Sequence, residues 1–336
     1  MSSEASISST PARRGWPAWL RPRMIAHAGW ELFFMRATLA FFLWKSVAEV
    51  NLNLVGQPKP NGFTEWGLDF TFWSHEGLRI PLLMGLAVAA VIYALGWCVL
   101  PVLAYLLLVM MTAGGLANSQ GSIGHSTQLL TMCLLAEFAT LLYLRIRPRA
   151  PLGRASGWLW PVPLLHAQWG VHAMKTVIAA GYLSTGLCKV FATKGLWIWQ
   201  TPYLVVQLRK SNLMGMYDTL QAGNSFITET VPQLIIAHPM LARVVFGSAL
   251  LLELGAFLAL LGRKWSLGMG LALIGMHLSI SVVMNLNFEY HIVLIAALLV
   301  NAPYWLLNPL QARLGSVFEK APPSWRRFYN FLSASR

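Results

Sequence analysis

Residues 182–191 read Tyr-Leu-Ser-Thr-Gly-Leu-Cys-Lys-Val-Phe, the end of a long apolar segment that begins near residue 166. Counting back in sevens from Lys189 gives Tyr182, Lys175 and Gln168, with His172 between them. Seven residues is nearly two helical turns, so these side chains share one stripe of one helix. Two lysines, a tyrosine, a histidine and a glutamine on one face are costly against lipid. They belong against other protein or around a cavity. The reading is therefore of a membrane helix with a polar inner face, and of neighbours that must cover it.

The neighbours are present in the sequence. The chain has 336 residues, of which 56% are hydrophobic and 11% charged, with a mean hydropathy of +0.56. Apolar runs at about 28–48, 80–97, 101–117, 125–145, 166–191, 241–262, 266–286 and 289–307 have the length of bilayer-spanning helices. The alternating short strands of an outer-membrane barrel are missing. The fold expected is all-α: a polytopic integral membrane protein of about eight transmembrane helices.

The net charge of +13 sits mainly in the tails and in short loops, among them Arg145, Arg147, Arg149 and Arg154, and the pair Arg263-Lys264. That is the positive-inside pattern of a membrane protein, and it excludes nucleic acid as the partner. Eight passes put both termini and all these basic segments on the cytoplasmic side. The domain plan expected is a basic tail over 1–24, a transmembrane domain over 25–308 with an exterior segment at about 192–240, and a second basic tail over 309–336. Trp197, Trp199 and Tyr203 in the exterior segment suit a headgroup-level belt.

Cys98, Cys133 and Cys188 form no C-x-x-C pair and lie in or beside apolar segments. They read as buried small side chains, with neither a disulfide framework nor a metal site. A phosphate-binding G-x-x-x-x-G-K-S/T, a dinucleotide G-x-G-x-x-G after a strand, a zinc-binding H-E-x-x-H and a nucleophile G-x-S-x-G are all absent.

Four ionisable side chains on four different predicted spans are singled out as candidates for one site: Lys189, His125, His277 and Glu253. A lysine in a poorly solvated cavity can serve as a general base, and a nearby histidine or tyrosine can relay a proton or stabilise an anion. Each residue has a plainer reading as well. Lys189 is near enough to the boundary to snorkel to the headgroups. His125 can cap its helix, His277 can bond between helices, and Glu253 can form a structural ion pair with a buried base such as Arg36.

Tyr182-Leu-Ser-Thr-Gly186-Leu-Cys-Lys189, followed by Trp197, resembles the Y-x-x-x-G-x-x-K segment of vitamin K-dependent gamma-carboxylases and of the bacterial HTTM (horizontally transferred transmembrane) proteins. Phe34-Met-Arg36 is similar to that family's early F-R motif, and Gly124-His125-Ser126 to its helix-starting N-H-S. Leu252-Glu253-Leu254 and His277 match its acidic and histidine positions. The resemblance covers residues 28–307.

It implies a bacterial inner-membrane protein with an outward-facing site. There Lys189 acts as base on a quinol (vitamin K hydroquinone or menaquinol-like) or another lipophilic small molecule, with His125, His277 and Tyr182 in the same active region. Here Cys188 stands where the carboxylases have a second lysine, and the sequence lacks their large lumenal domain. The expectation is a quinol-handling core without protein carboxylation. A second resemblance, of Glu253–Arg263 and Asn285-Leu-Asn-Phe to lipase maturation factors, implies a non-catalytic membrane chaperone or assembly protein. A small-molecule carrier using the polar stripe is the third reading.

Overall fold

The computed structural model describes residues 24–48, 67–119, 125–146, 162–220, 226–284 and 286–309. The expected tails, the four-arginine loop beyond Ile146 and most of loop 49–78 lie outside the described residues. Within them, 88% of the chain is helical and no strand occurs.

Five long helices come first: α1 (Gly29–Ala48), α2 (Glu76–Ala94), α3 (Val99–Ser119), α4 (His125–Ile146) and α5 (Leu164–Ala192). Four helices follow over the expected exterior segment and its flank: α6 (Trp197–Gln200), α7 (Leu204–Thr219), α8 (Val231–Ala237) and α9 (Pro239–Leu254). The described part of the chain ends with α10 (Arg263–Met284), α11 (Glu289–Ile295) and α12 (Ala302–Pro309).

Each break has a local cause. Pro163 precedes the first turn of α5, where a missing N–H costs nothing. Thr193 and Gly195 close its far end by bonding back to the carbonyls of Lys189 and Val190. Pro239 occupies the first position of α9, the site that a fixed proline φ suits best. Segment 192–240, expected as an exterior loop, is instead largely helical. The span expected over 241–262 is divided at Gly255 into α9 and a 3-10 stretch, Ala256–Leu260. The last span, expected as one helix over 289–307, passes through a π-helical turn (Ala296–Val300) and breaks at Asn301, whose φ is 52°.

α2, α3, most of α4 and α10 are each long and apolar enough to cross a membrane. Three bent pairs of helices meet the same test: α5 with α6–α7 (78°), the segment through α8 with α9 (106°), and α11 with α12 (40°). Among the described residues the count is four spans, or up to seven if every bent pair is one.

The surface pattern agrees with lipid contact. Met84, Val88 and Val91 of α2, and Leu271, Leu278 and Val282 of α10, are exposed at one-turn or two-turn spacing. An apolar stripe of this kind on the outside is rare on a soluble protein.

α5 is the axis of the bundle, packed against α4, α9, the stretch 256–260, the π turn 296–300 and α1. Its apolar inner positions, Val171, Met174 and Ile178, join one continuous core with Leu39, Leu43 and Leu134. Inside a bilayer such packing works by close van der Waals contact and satisfied polar groups, because lipid tails are as apolar as the side chains.

Candidate functional site

The inner face of α5 carries the expected stripe. Gln168, Lys175 and Tyr182 are buried, and the Lys189 side chain keeps 28% of its exposure. These residues meet partners from other helices at successive levels, giving a ladder of polar clusters along one helix.

At the lowest level, the Gln168 amide donates to the His27 carbonyl at 3.0 Å, and the Lys175 ammonium lies 3.4 Å from His27 Nε2. His27 Nδ1 in turn bonds the Glu31 carboxylate at 2.9 Å. Glu31 also accepts from Arg263 Nη1 at 2.7 Å and Asn301 Nδ2 at 2.6 Å. The Arg263 guanidinium covers the Tyr304 ring, 3.6 Å from its centroid. α1, α5, α10 and the break at Asn301 are thereby tied together. Burial lowers the His27 pKa from 6.5 to about 4, with the charges on Lys175 and Arg263 adding to that and Glu31 opposing it.

The middle level joins Tyr182 and His277 directly by a hydrogen bond between the hydroxyl and Nε2. The Phe288 and His291 rings also pack on the His277 ring, with centroids 4.7 and 5.4 Å away. His277 Nδ1 is buried without a hydrogen-bond partner among the described residues. Such an atom is unusual in a folded interior.

At the upper level the Lys189 ammonium lies 2.5 and 2.7 Å from the two oxygens of Glu253. It also lies 5.4 Å from the centroid of the Trp197 ring, within cation–π range. Gly186 makes this level possible. A Cβ there would stand 3.0 Å from a Leu254 methyl and 3.2 Å from Glu253 Cβ, so a side chain at this position would press α9 away from α5 or force Leu254 to shift. Lys189 and Glu253 are also within electrostatic reach of His277 and Tyr182 respectively. Tyr182, Lys189, Glu253 and His277 thus form one neighbourhood built by α5, α9 and α10.

Two expectations change. Glu253 pairs with Lys189 and not with Arg36. Arg36 reaches Glu137 instead, at 3.5 Å, and Glu137, fully buried, also accepts the Tyr93 hydroxyl at 2.5 Å. The reason is geometric: Arg36 faces α2 and α4, and its guanidinium rests over the turn at Gly96. Cys188, expected to be buried, is exposed. Cys133 is buried and Cys98 partly so. His125 is the first residue of α4; the role expected of its side chain lies outside the described residues.

The sequence reading passed over Glu137 although it carried a signal, a lone carboxylate in mid-span. It also passed over His27, Tyr93 and His291, which no spacing rule marks. Among the described residues, no group of three or more His, Cys, Asp or Glu could hold a metal ion. Comparison with protein-family models, with characterised proteins and with solved structures finds no match for this chain.

Proposed function

We propose that this is an eight-pass HTTM/gamma-carboxylase-like protein of the bacterial inner membrane, with both termini cytoplasmic and a proton-handling site that opens outward. Taking each bent pair as one span gives seven and leaves α1, whose three charged side chains are all paired with other helices: Glu31 with Arg263, Arg36 with Glu137 and Lys45 with Glu289. A helix whose charges are neutralised in this way can cross a bilayer as the eighth.

The observation that carries the functional reading is the meeting of Tyr182, Lys189, Glu253 and His277 from three helices. The substrate would be a lipophilic acid of quinol type. Its hydroxyl would meet His277 Nδ1, the buried atom without a partner. When bound, a quinol supplies an acidic hydroxyl and a reductant. The chain's own part is to hold the proton: His277 shares it with Tyr182, and Lys189 passes it to or from Glu253. Lys189 is a base in this scheme only after it has given a proton to the carboxylate beside it.

One observation favours a second reading, a non-catalytic assembly protein. The Lys189–Glu253 and Tyr182–His277 contacts satisfy one another and need no ligand to do so.

Lipid extracts of the purified protein distinguish the two. Wild type should carry a quinone or quinol that His277→Ala and Lys189→Met lose while remaining monodisperse. If neither wild type nor variants carry one, and added menaquinol does not bind, the quinol reading is wrong.

A further inference from the structure

A cavity of about 430 Å³ lies between α8, α9 and α10, lined by none of the residues of the polar ladder. α10 packs on the 3-10 stretch 256–260, α9 and α10 touch each other only sparsely, and α8 with the π turn Phe226–Thr230 lines the gap between them. Its lining is apolar along its length, from Leu241 and Met284 at one end to Leu252 and Met276 at the other. Of the hydroxyls in it, Ser248 and Ser279 are already spent on carbonyls of their own helices. The volume is that of a small-molecule site, about 300–1,000 Å³. The length from Leu241 to Leu252 is roughly 17 Å at the helical rise. One leaflet of bilayer hydrocarbon is about 15 Å thick, half of the roughly 30 Å core.

We propose that this cavity holds one hydrocarbon chain of an anionic lipid. Apart from the exposed Thr230 hydroxyl, the lining is apolar or already hydrogen-bonded and holds no charged group for a head, so the head stays outside, at the mouth. There Leu208 of α7 packs with Ile235, Ala242, Val283 and Met284. The next two residues, Arg209 and Lys210, are exposed cations with no ion pair among the described residues. Neither shares the inward face of Leu208, but both put positive charge on the helix at that mouth, which attracts a phosphate or carboxylate at headgroup level. The deep end of the chain stops at Leu252 and Met276, one residue short of Glu253 and His277, so an occupant would brace the two helices that complete the polar site. The inference rests on the membrane reading and not on the quinol chemistry.

The test is photolabelling of the full chain in nanodiscs. One diazirine-bearing palmitoyl chain is presented as free palmitate, as phosphatidylglycerol and as phosphatidylcholine, and labelled peptides are mapped by mass spectrometry. Palmitate and phosphatidylglycerol should label residues 226–252 and 276–284 at least fivefold above the lipid faces of α2 and α3. Ala249→Trp or, should that variant misfold, Ser279→Trp should abolish the excess. Arg209→Gln/Lys210→Gln should reduce phosphatidylglycerol labelling to the phosphatidylcholine level. A stronger signal from palmitate than from phosphatidylglycerol makes the ligand a free fatty acid, and the reverse makes it a phospholipid. Either supports the proposal. Equal labelling of all lipid faces, or labelling that survives cavity filling, means ordinary annular lipid and overturns it. Equal labelling by phosphatidylcholine overturns the anionic head.

Discussion

Lys189, three residues from the end of α5, points its ammonium between both carboxylate oxygens of Glu253, on a helix 64 positions later in the chain. Among the described residues it is the one ion pair that bridges α5 and α9, and it sits one level above the Tyr182–His277 hydrogen bond. The most direct tests of the site start from it.

Lys189→Met should leave Glu253 charged, buried and alone. Breaking a buried pair from one side costs about 3–5 kcal/mol, and the lower end applies because the lysine keeps some exposure. Glu253→Leu should cost a comparable amount, while Lys189→Met/Glu253→Leu should recover most of the loss. Thermal unfolding of the four proteins in one detergent measures this cycle. Independent, additive effects would show that the pair does not form.

Tyr182→Phe should remove the remaining partner of the His277 ring, whose Nδ1 already lacks one. A buried polar group left unsatisfied costs about 1–3 kcal/mol. His277→Phe in the same background should add little further loss, because the two residues act as a unit. The readout is the unfolding midpoint in detergent, with ring-nitrogen shifts of selectively labelled histidine as a direct view of the bond.

Gly186→Val should destabilise by about 1–3 kcal/mol through overpacking against Leu254 and Glu253. More telling is its effect on the ion pair. If the close approach at Gly186 positions Glu253, the Lys189–Glu253 coupling energy should shrink in the Gly186→Val background. An unchanged coupling energy would show that the carboxylate is positioned by something else.

Acid should loosen the anchoring of α1. Unfolded, His27 binds a proton near 6.5; folded, it resists until about 4. The unfolded chain therefore takes up the proton first, and stability is full above pH 6.5 and falls as the pH drops toward 4, by at most about 3 kcal/mol. The geometry demands this sign. Nδ1–H donates to Glu31, which leaves Nε2 to accept from Lys175, and a second ring proton would face the ammonium. His27→Gln should flatten the dependence between pH 4 and 6.5. A histidine variant with the same acid slope as wild type would place the titrating group elsewhere.

Much of the fold was legible from composition and period. Run length located α1 to α5 and α10 within a few residues, because spanning a bilayer leaves few alternatives to a long apolar helix. The seven-residue spacing of Gln168, Lys175, Tyr182 and Lys189 also told, correctly, which face of α5 turns inward. What the spacing could not show is the partner of each. Arg36 and Glu253 looked like natural counterparts, yet the turn at Gly96 aims one at Glu137 and the close approach at Gly186 gives the other to Lys189. The helices of segment 192–240 were missed for a related reason: their composition is too mixed to read as spans, and their order comes from packing on α9 and α10.

The sequence by itself determined that this chain is a bundle of apolar helices with a polar inner stripe on α5, since periodicity and hydropathy are local properties. Only the tertiary structure decided which charges neutralise which, that Tyr182 meets His277, and that α9 and α10 part to leave a lined cavity. Those outcomes depend on the angle and separation of helices far apart in the chain, which no local stretch of sequence specifies.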